Sequence, residues 1–243
     1  MSRNIKPYKD SELGKKEQVT QMFDNISGNY DGLNKLISFG NDAKWKQKIL
    51  KIVVAKQPNS ILDIATGTGD LAILFAATSA NEIIGLDISQ GMLDIGKKKI
   101  EAQNLVSKIQ MVLGDGESIP YSDNYFDVIT IAYGLRNFEN LEKGLTDILR
   151  TLKPNGKLII LETSVPTKFP FKQGYVFYSK IVLPLLGKLF SKDKAAYSYL
   201  SDSANEFPFG EALNNILIKI GFIEVNHLPQ TFGVATIYHA SKK

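Results

Sequence analysis

Apolar residues recur at two different spacings along this chain, and the change of spacing divides it. Up to residue 56 the period is helical: Val19, Met22, Phe23 and Ile26 fall on one face, as do Trp45, Ile49, Ile52 and Val53. From Ser60 the pattern becomes short apolar runs, Ile61 to Ala65, Ile83 to Leu86, Ile109 to Leu113, Val128 to Ala132 and Leu158 to Leu161. Helical stretches separate them at Asp70 to Ala77, Gly91 to Ala102 and Leu141 to Leu152, the last closing on a Lys153-Pro154-Asn155-Gly156 turn. Strands that are continuously apolar and alternate with helices predict a parallel sheet covered on both faces. Residues 164–208 interrupt the alternation with an aromatic, Lys-rich stretch. A helix at Glu211 to Ile220 and strands at Phe222 to His227 and Phe232 to Ala240 follow, with a reversing loop expected at Pro229.

These patterns predict a single α/β domain over 1–243. Within it we read a helical N-terminal cap (1–56) that stands outside the core, a ligand-binding core (57–163), an insertion serving as a substrate lid (164–208), and a C-terminal helix and strand pair (209–243). At 243 residues, one core is the common outcome for an α/β fold.

The first strand runs into Ala65-Thr66-Gly67-Thr68-Gly69-Asp70 and then a helix. In open α/β sheets, ligands bind at the carboxyl ends of the strands, and glycines there admit a close backbone approach. Gly67, Gly69 and Ala72 satisfy G-x-G-x-x-A, with Asp87 at about the spacing of a ribose-binding acid in a nicotinamide enzyme. Charge favours a different ligand. Asp63 precedes the loop and Asp70 follows it, where a pyrophosphate would sit and be repelled. S-Adenosylmethionine, with an ammonium and a sulfonium but no phosphate, suits acids there. Asp87 closes the second strand, placed for ribose hydroxyls, and Asp115-Gly116 follow the third, placed for an adenine amine. Each has a plainer reading as a helix cap or turn residue. Three acids ending three successive strands are harder to explain separately.

Taken together, the chain resembles the class I methyltransferases, a Rossmann-like, seven-stranded, mainly parallel sheet with a helical cap and a helical insertion. It is more closely similar to the menaquinone/ubiquinone biosynthesis C-methyltransferase family. The residues carrying the resemblance are Met22-Phe23-Asp24-Asn25-Ile26 with Tyr30-Asp31, Asn34 to Gly40, Trp45, Asp63 to Asp70, Tyr133-Gly134-Leu135-Arg136-Asn137, Leu152 to Gly156 and Tyr197 to Leu200. The resemblance implies S-adenosylmethionine as cofactor, contacted by Thr68, Asp87, Asp115, Gly116 and Ala132. Many relatives carry Ser where this chain has Ala132, so only a backbone contact is expected there. The implied reaction is methyl transfer to a ring carbon of an isoprenoid quinol, with demethylmenaquinol favoured. A dual menaquinol/ubiquinol-precursor activity, another lipid or metabolite as acceptor, and a nicotinamide oxidoreductase are the alternatives.

Transfer from a sulfonium needs alignment and exclusion of water above all, and a cation near the phenolate that forms. Arg136 is the candidate for that cation, or for orienting a water; its plainer reading is a structural ion pair. Tyr30 and Tyr197 are expected to line the quinol pocket, or else to pack. Asp24 and Asp31 are candidate bases or helix caps, and His227 and His239 are expected to be structural.

Composition narrows the partners. Net charge is +4, but 29 basic residues are interspersed with 25 acidic ones, so no nucleic-acid partner is expected. There is no cysteine, hence neither a thiol nucleophile nor a Cys-based zinc site, and no metal site is expected. No charged-then-apolar leader opens the chain, so a cytoplasmic location is expected. The most apolar stretch, Tyr175 to Phe190, is short and broken by Lys180, Pro184 and Lys188, so spanning is not expected. Lys168 to Lys192, basic and apolar together, reads as a lid that takes the isoprenoid tail and touches the inner face of the membrane weakly, or as a helix pair packed on the core. Oligomeric state stays open, a homodimer among the options.

Overall fold

The computed structural model describes residues 5–8, 10–179 and 194–243. At its centre is a seven-stranded sheet in the order β3-β2-β1-β4-β5-β7-β6. The strands are β1 (Ser60–Ile64), β2 (Glu82–Asp87), β3 (Ile109–Leu113), β4 (Phe126–Ala132), β5 (Leu152–Thr163), β6 (Ile223–Gln230) and β7 (Ala235–Ser241). β1 to β5 pair in parallel, and β7 enters antiparallel between β5 and the edge strand β6.

Alternation along each strand decides the layers. Ile61, Ile83, Ile109, Val128 and Ile159 face α3 (Asn41–Lys56), α4 (Asp70–Leu74) and α5 (Gln90–Ala102). Leu62, Ile64, Ile84, Ile129 and Ile160 face α6 (Leu141–Thr151) and α9 (Glu211–Ile220). α1 (Lys15–Ile26) packs Val19, Met22 and Ile26 against Met92 of α5 and against Ala196 and Tyr199 of α8 (Lys194–Glu206). α2 (Tyr30–Ile37) and α7 (Phe171–Phe177) complete the described α-helices.

Three expectations change. The first 56 residues are not all cap: Trp45, Ile49 and Val53 of α3 are buried in the same cluster as the sheet. An amphipathic stripe looks the same whichever surface it covers. Pro229 does not start a loop; it pairs with Thr236 inside β6. An edge strand tolerates the missing N–H, and the reversal falls on Thr231–Gly233 instead. The Pro154-Asn155-Gly156 turn is absorbed into the start of β5, where Asn155 is left-handed (φ 59°) and its N–H donates to the carbonyl of Lys242 at 3.0 Å. Residues 180–193, which include much of the expected lid, lie outside the described residues.

Candidate active site

The strand order reverses between β1 and β4, and ligands of such sheets bind outside the carboxyl ends of the strands at that point. A narrow cleft of about 60 Å³ lies there, lined by Gly67, Asp87, Asp115, Gly116 and Ala132 and roofed by Lys16, Val19, Phe23 and Tyr30 of α1 and α2. Five of the eight expected cofactor-contacting residues therefore meet in one cleft. The other three hold it in shape. Asp63 is buried behind the loop, accepting from Thr66 and Thr130 hydroxyls at 2.6 Å each. The Thr68 hydroxyl donates to Asp31 (2.6 Å) and accepts from Lys99 (2.9 Å). Gly69, at φ 77°, makes the turn into α4.

Asp87 accepts from the Gly67 N–H at 2.8 Å and the Ser89 N–H at 2.9 Å. It does not cap α5; Ser89 does, accepting from the Met92 N–H. Burial pushes the carboxyls of both Asp87 and Asp63 up to about 6, against the hydrogen bonds that favour their ionised forms. Asp115 accepts from the Glu117 N–H (2.8 Å) and pairs with Lys16 (2.7 Å), a residue that the sequence reading missed.

Asp70 is a correction. Its repulsion of a pyrophosphate presupposed a bare charge, but it pairs with Lys46 (3.0 Å) and Lys99 (2.8 Å). Burial opposes its ionisation, yet the two lysines hold its carboxyl below the usual range. The preference for a cationic ligand rests instead on the cleft lining. Among its described residues Asp87, Asp115 and Glu117 are acidic, and the one cation, Lys16, is already paired. That set of carboxylate acceptors fits a nucleoside bearing an ammonium and a sulfonium.

A second cavity of about 1040 Å³ adjoins the first, and Tyr30 and Tyr133 line both. It is mostly apolar, with Ile37, Trp45, Val165 and Tyr175 in its wall. Arg136 lines it too. Its Nη1 donates to Glu162 (2.5 Å) and to the Tyr133 carbonyl (2.8 Å), while Nε is buried and has no partner among the described residues. Burial opposes the charge of Arg136, but Glu162 beside it keeps the guanidinium firmly protonated. The ion pair and the cavity-lining position thus coexist. Tyr199 donates to Asn137 (3.1 Å), and burial pushes its hydroxyl up to about 12. Tyr197 falls in α8, but its side chain lies outside the described residues. Glu162 and Tyr133 were also missed, although an acid closing an otherwise apolar strand, Leu158 to Leu161, is a visible signal.

Asp24 and Asp31 act as clasps between cap and core. Asp24 accepts from the Ser89 hydroxyl (2.6 Å) and the Gly91 N–H (2.9 Å), and Asp31 pairs with Lys99 at 2.5 Å. The Lys15 ammonium donates to the carbonyls of Arg136 (3.1 Å) and Phe138 (2.7 Å), tying α1 to the turn after β4. His227 and His239 lie in β6 and β7, on the far side of the sheet order from β1. Among the described residues no three His, Asp or Glu are grouped to hold a metal.

The pattern of the ubiE/COQ5 methyltransferase family matches residues 11–242. The chain belongs to this family. It is 48% identical to a demethylmenaquinone methyltransferase of Bacteroides fragilis, over 98% of this chain and 97% of that one. It is 41% identical to a ubiquinone/menaquinone biosynthesis C-methyltransferase of Geobacter sulfurreducens, over 99% and 93%. Among solved structures, an S-adenosylmethionine-dependent methyltransferase of Aquifex aeolicus superposes with a TM-score of 0.59 at 17% identity, covering 82% of this chain and 89% of that one. The fold is that of the class I methyltransferases.

Proposed function

We propose that the protein transfers a methyl group from S-adenosylmethionine to a ring carbon of demethylmenaquinol, the acceptor that the name of its Bacteroides fragilis relative gives. The observation that carries this reading is the junction at Tyr30 and Tyr133: a small acidic cleft and a large apolar cavity share these two side chains in their linings, as neighbouring sites for a cationic nucleoside and an isoprenoid quinol would require. S-Adenosylmethionine supplies the electrophilic methyl group. The residues of this chain align and shield. Asp87 takes the ribose hydroxyls, Gly67 and Gly116 let the backbone close in, and Ala132 contributes backbone only. Tyr30 and Tyr133 frame the opening between donor and acceptor, which favours an in-line approach in a site closed to water. Burial raises the hydroxyls of both tyrosines, so they remain protonated and serve as donors. Arg136, held by Glu162, stabilises negative charge on the quinol oxygen next to the attacking carbon.

The test is label transfer from radioactive S-adenosylmethionine to reduced demethylmenaquinone, with the benzoquinol precursor of ubiquinone alongside. Label in the naphthoquinol alone supports the reading. Label in both makes the enzyme dual, as the name of its Geobacter sulfurreducens relative suggests. Label in neither, with S-adenosylmethionine still bound, rejects quinol as the substrate.

A further inference from the structure

Among the described residues, three separate stretches of chain build the rim at which the large cavity meets solvent. Phe39 follows α2, Phe171 and Val176 lie on α7, and Phe232 sits in the turn between β6 and β7; all four line the cavity, and all four are exposed. Phe39 is 73% exposed and Phe232 69%, which places them at the mouth. The rings of Phe171 and Phe232 stack at 3.9 Å, joining two of the stretches. Phe169 (80% exposed) and Phe177 (59%), which are not part of the lining, add two exposed rings to the same segment as Phe171 and Val176. Exposed apolar side chains gathered at one cavity mouth mark a place where something binds.

The backbone is an independent sign. Phe39 (φ 50°) and Phe232 (φ 60°) are both left-handed, a conformation that a bulky side chain enters only at a cost. Glycine follows each of them, at 40 and 233, and would take either position without strain. Both turns instead place a benzyl group at the mouth.

Charge indicates what covers the surface. Residues 34–41, 165–178 and 230–234 contain Lys35, Lys168 and Lys172 and no Asp or Glu, and all three lysines are exposed; the two acids of the cavity lining, Asp42, which pairs with Lys46, and Asp202, lie outside these stretches. The buried centre of a protein interface is depleted in lysine. Aromatic rings flanked by lysines with no acid among them match the headgroup boundary of a bilayer, rings at the acyl edge and ammonium groups among anionic headgroups. No described helix is long and apolar enough to cross a membrane, so the contact is peripheral.

We infer that this rim docks on a bilayer surface carrying anionic headgroups, and that an amphiphile passes through it into the cavity without crossing water. The docking rests on the rim; the identity of the amphiphile rests on the function proposed above.

The experiment is co-sedimentation of the full chain with phosphatidylcholine vesicles made with and without phosphatidylglycerol. The wild type is compared with Phe169→Ser/Phe177→Ser and Lys168→Glu/Lys172→Glu, whose positions are exposed and outside the cavity lining. Methyl transfer is followed in parallel to a short-tailed, water-soluble acceptor and to a long-tailed quinol in the vesicles. Salt-sensitive binding to the phosphatidylglycerol vesicles, weakened at least roughly tenfold in each variant, supports docking. So does turnover of the vesicle-borne quinol falling in step while the soluble acceptor is methylated as before. Wild type that stays in the supernatant with both vesicles, or variants that bind and turn over like it, overturns docking. Vesicle binding by a wild type that methylates neither acceptor would leave docking standing and reject the proposed function instead.

Discussion

Arg136 donates to Glu162 where β5 ends beneath the wall of the large cavity, and solvent reaches almost none of either side chain, 7% and 1%. The cost of desolvating such a pair offsets much of its attraction, but breaking it strands one charge. Glu162→Ala should therefore lower stability by about 3–5 kcal/mol, read by chemical denaturation. Arg136→Lys keeps the charge and loses the planar fork; it should fold but lose at least roughly tenfold in kcat. A Glu162→Ala protein as stable as wild type would show that the pair is not closed to solvent.

If Asp87 holds the cofactor ribose as proposed above, cofactor affinity should depend on pH. Its folded carboxyl titrates near 6, above the usual value of about 3.9. The sign for stability follows: keeping Asp87 ionised costs the folded state above pH 6, and that cost is relieved as pH falls through 6. Binding runs the other way, because ribose hydroxyls donate to the ionised form. Calorimetry should find S-adenosylmethionine affinity steady near pH 7.5 and declining below about 6. Asp87→Asn should weaken binding at neutral pH by roughly tenfold and reduce the pH dependence. Asp63 titrates in the same window, so the comparison with Asp87→Asn isolates the contribution of Asp87.

Asp24 clasps α1 to the first turn of α5. Asp24→Ala should cost about 1 kcal/mol, as loss of a helix-end acceptor does, and hydrogen exchange should speed up over residues 15–37 while the sheet stays protected. Unchanged exchange in those helices would mean that the apolar contacts of Val19, Met22 and Ile26 hold the cap by themselves.

Gly134 follows β4, and a Cβ there would collide with the Cβ of Ala65 at the start of the cofactor loop. Ala65 has little room to yield, being left-handed itself at φ 52°. Gly134→Ala should cost about 1–3 kcal/mol and weaken cofactor binding more than a neutral surface substitution would. A thermal melt and a binding titration on one preparation would show both effects, and a variant matching wild type in the two would show that the loop adjusts freely.

Much of the core was legible because its signals are local. Five apolar runs between helical stretches imply the parallel strands, and the residues at their carboxyl ends imply where a ligand sits; Asp87, Asp115, Gly116 and Ala132 do share one cleft. The same reasoning failed where one pattern permits two partners. The stripe on α3 reads equally as cap or core, and the structure packs it on the sheet. Asp70 reads as a bare charge until Lys46 of α3 and Lys99 of α5 reach it.

By itself, then, the sequence determined the alternation of strands and helices, the glycine loop and the family, since periodicity and turn chemistry act over a few residues. Only the tertiary structure decided that Tyr30 and Tyr133 share the wall between two cavities, that Arg136 is held by Glu162, and that phenylalanines from three stretches form one mouth. Those relationships depend on how faces pack across the whole chain. A residue's own neighbours in sequence specify which side it presents, not what will be opposite.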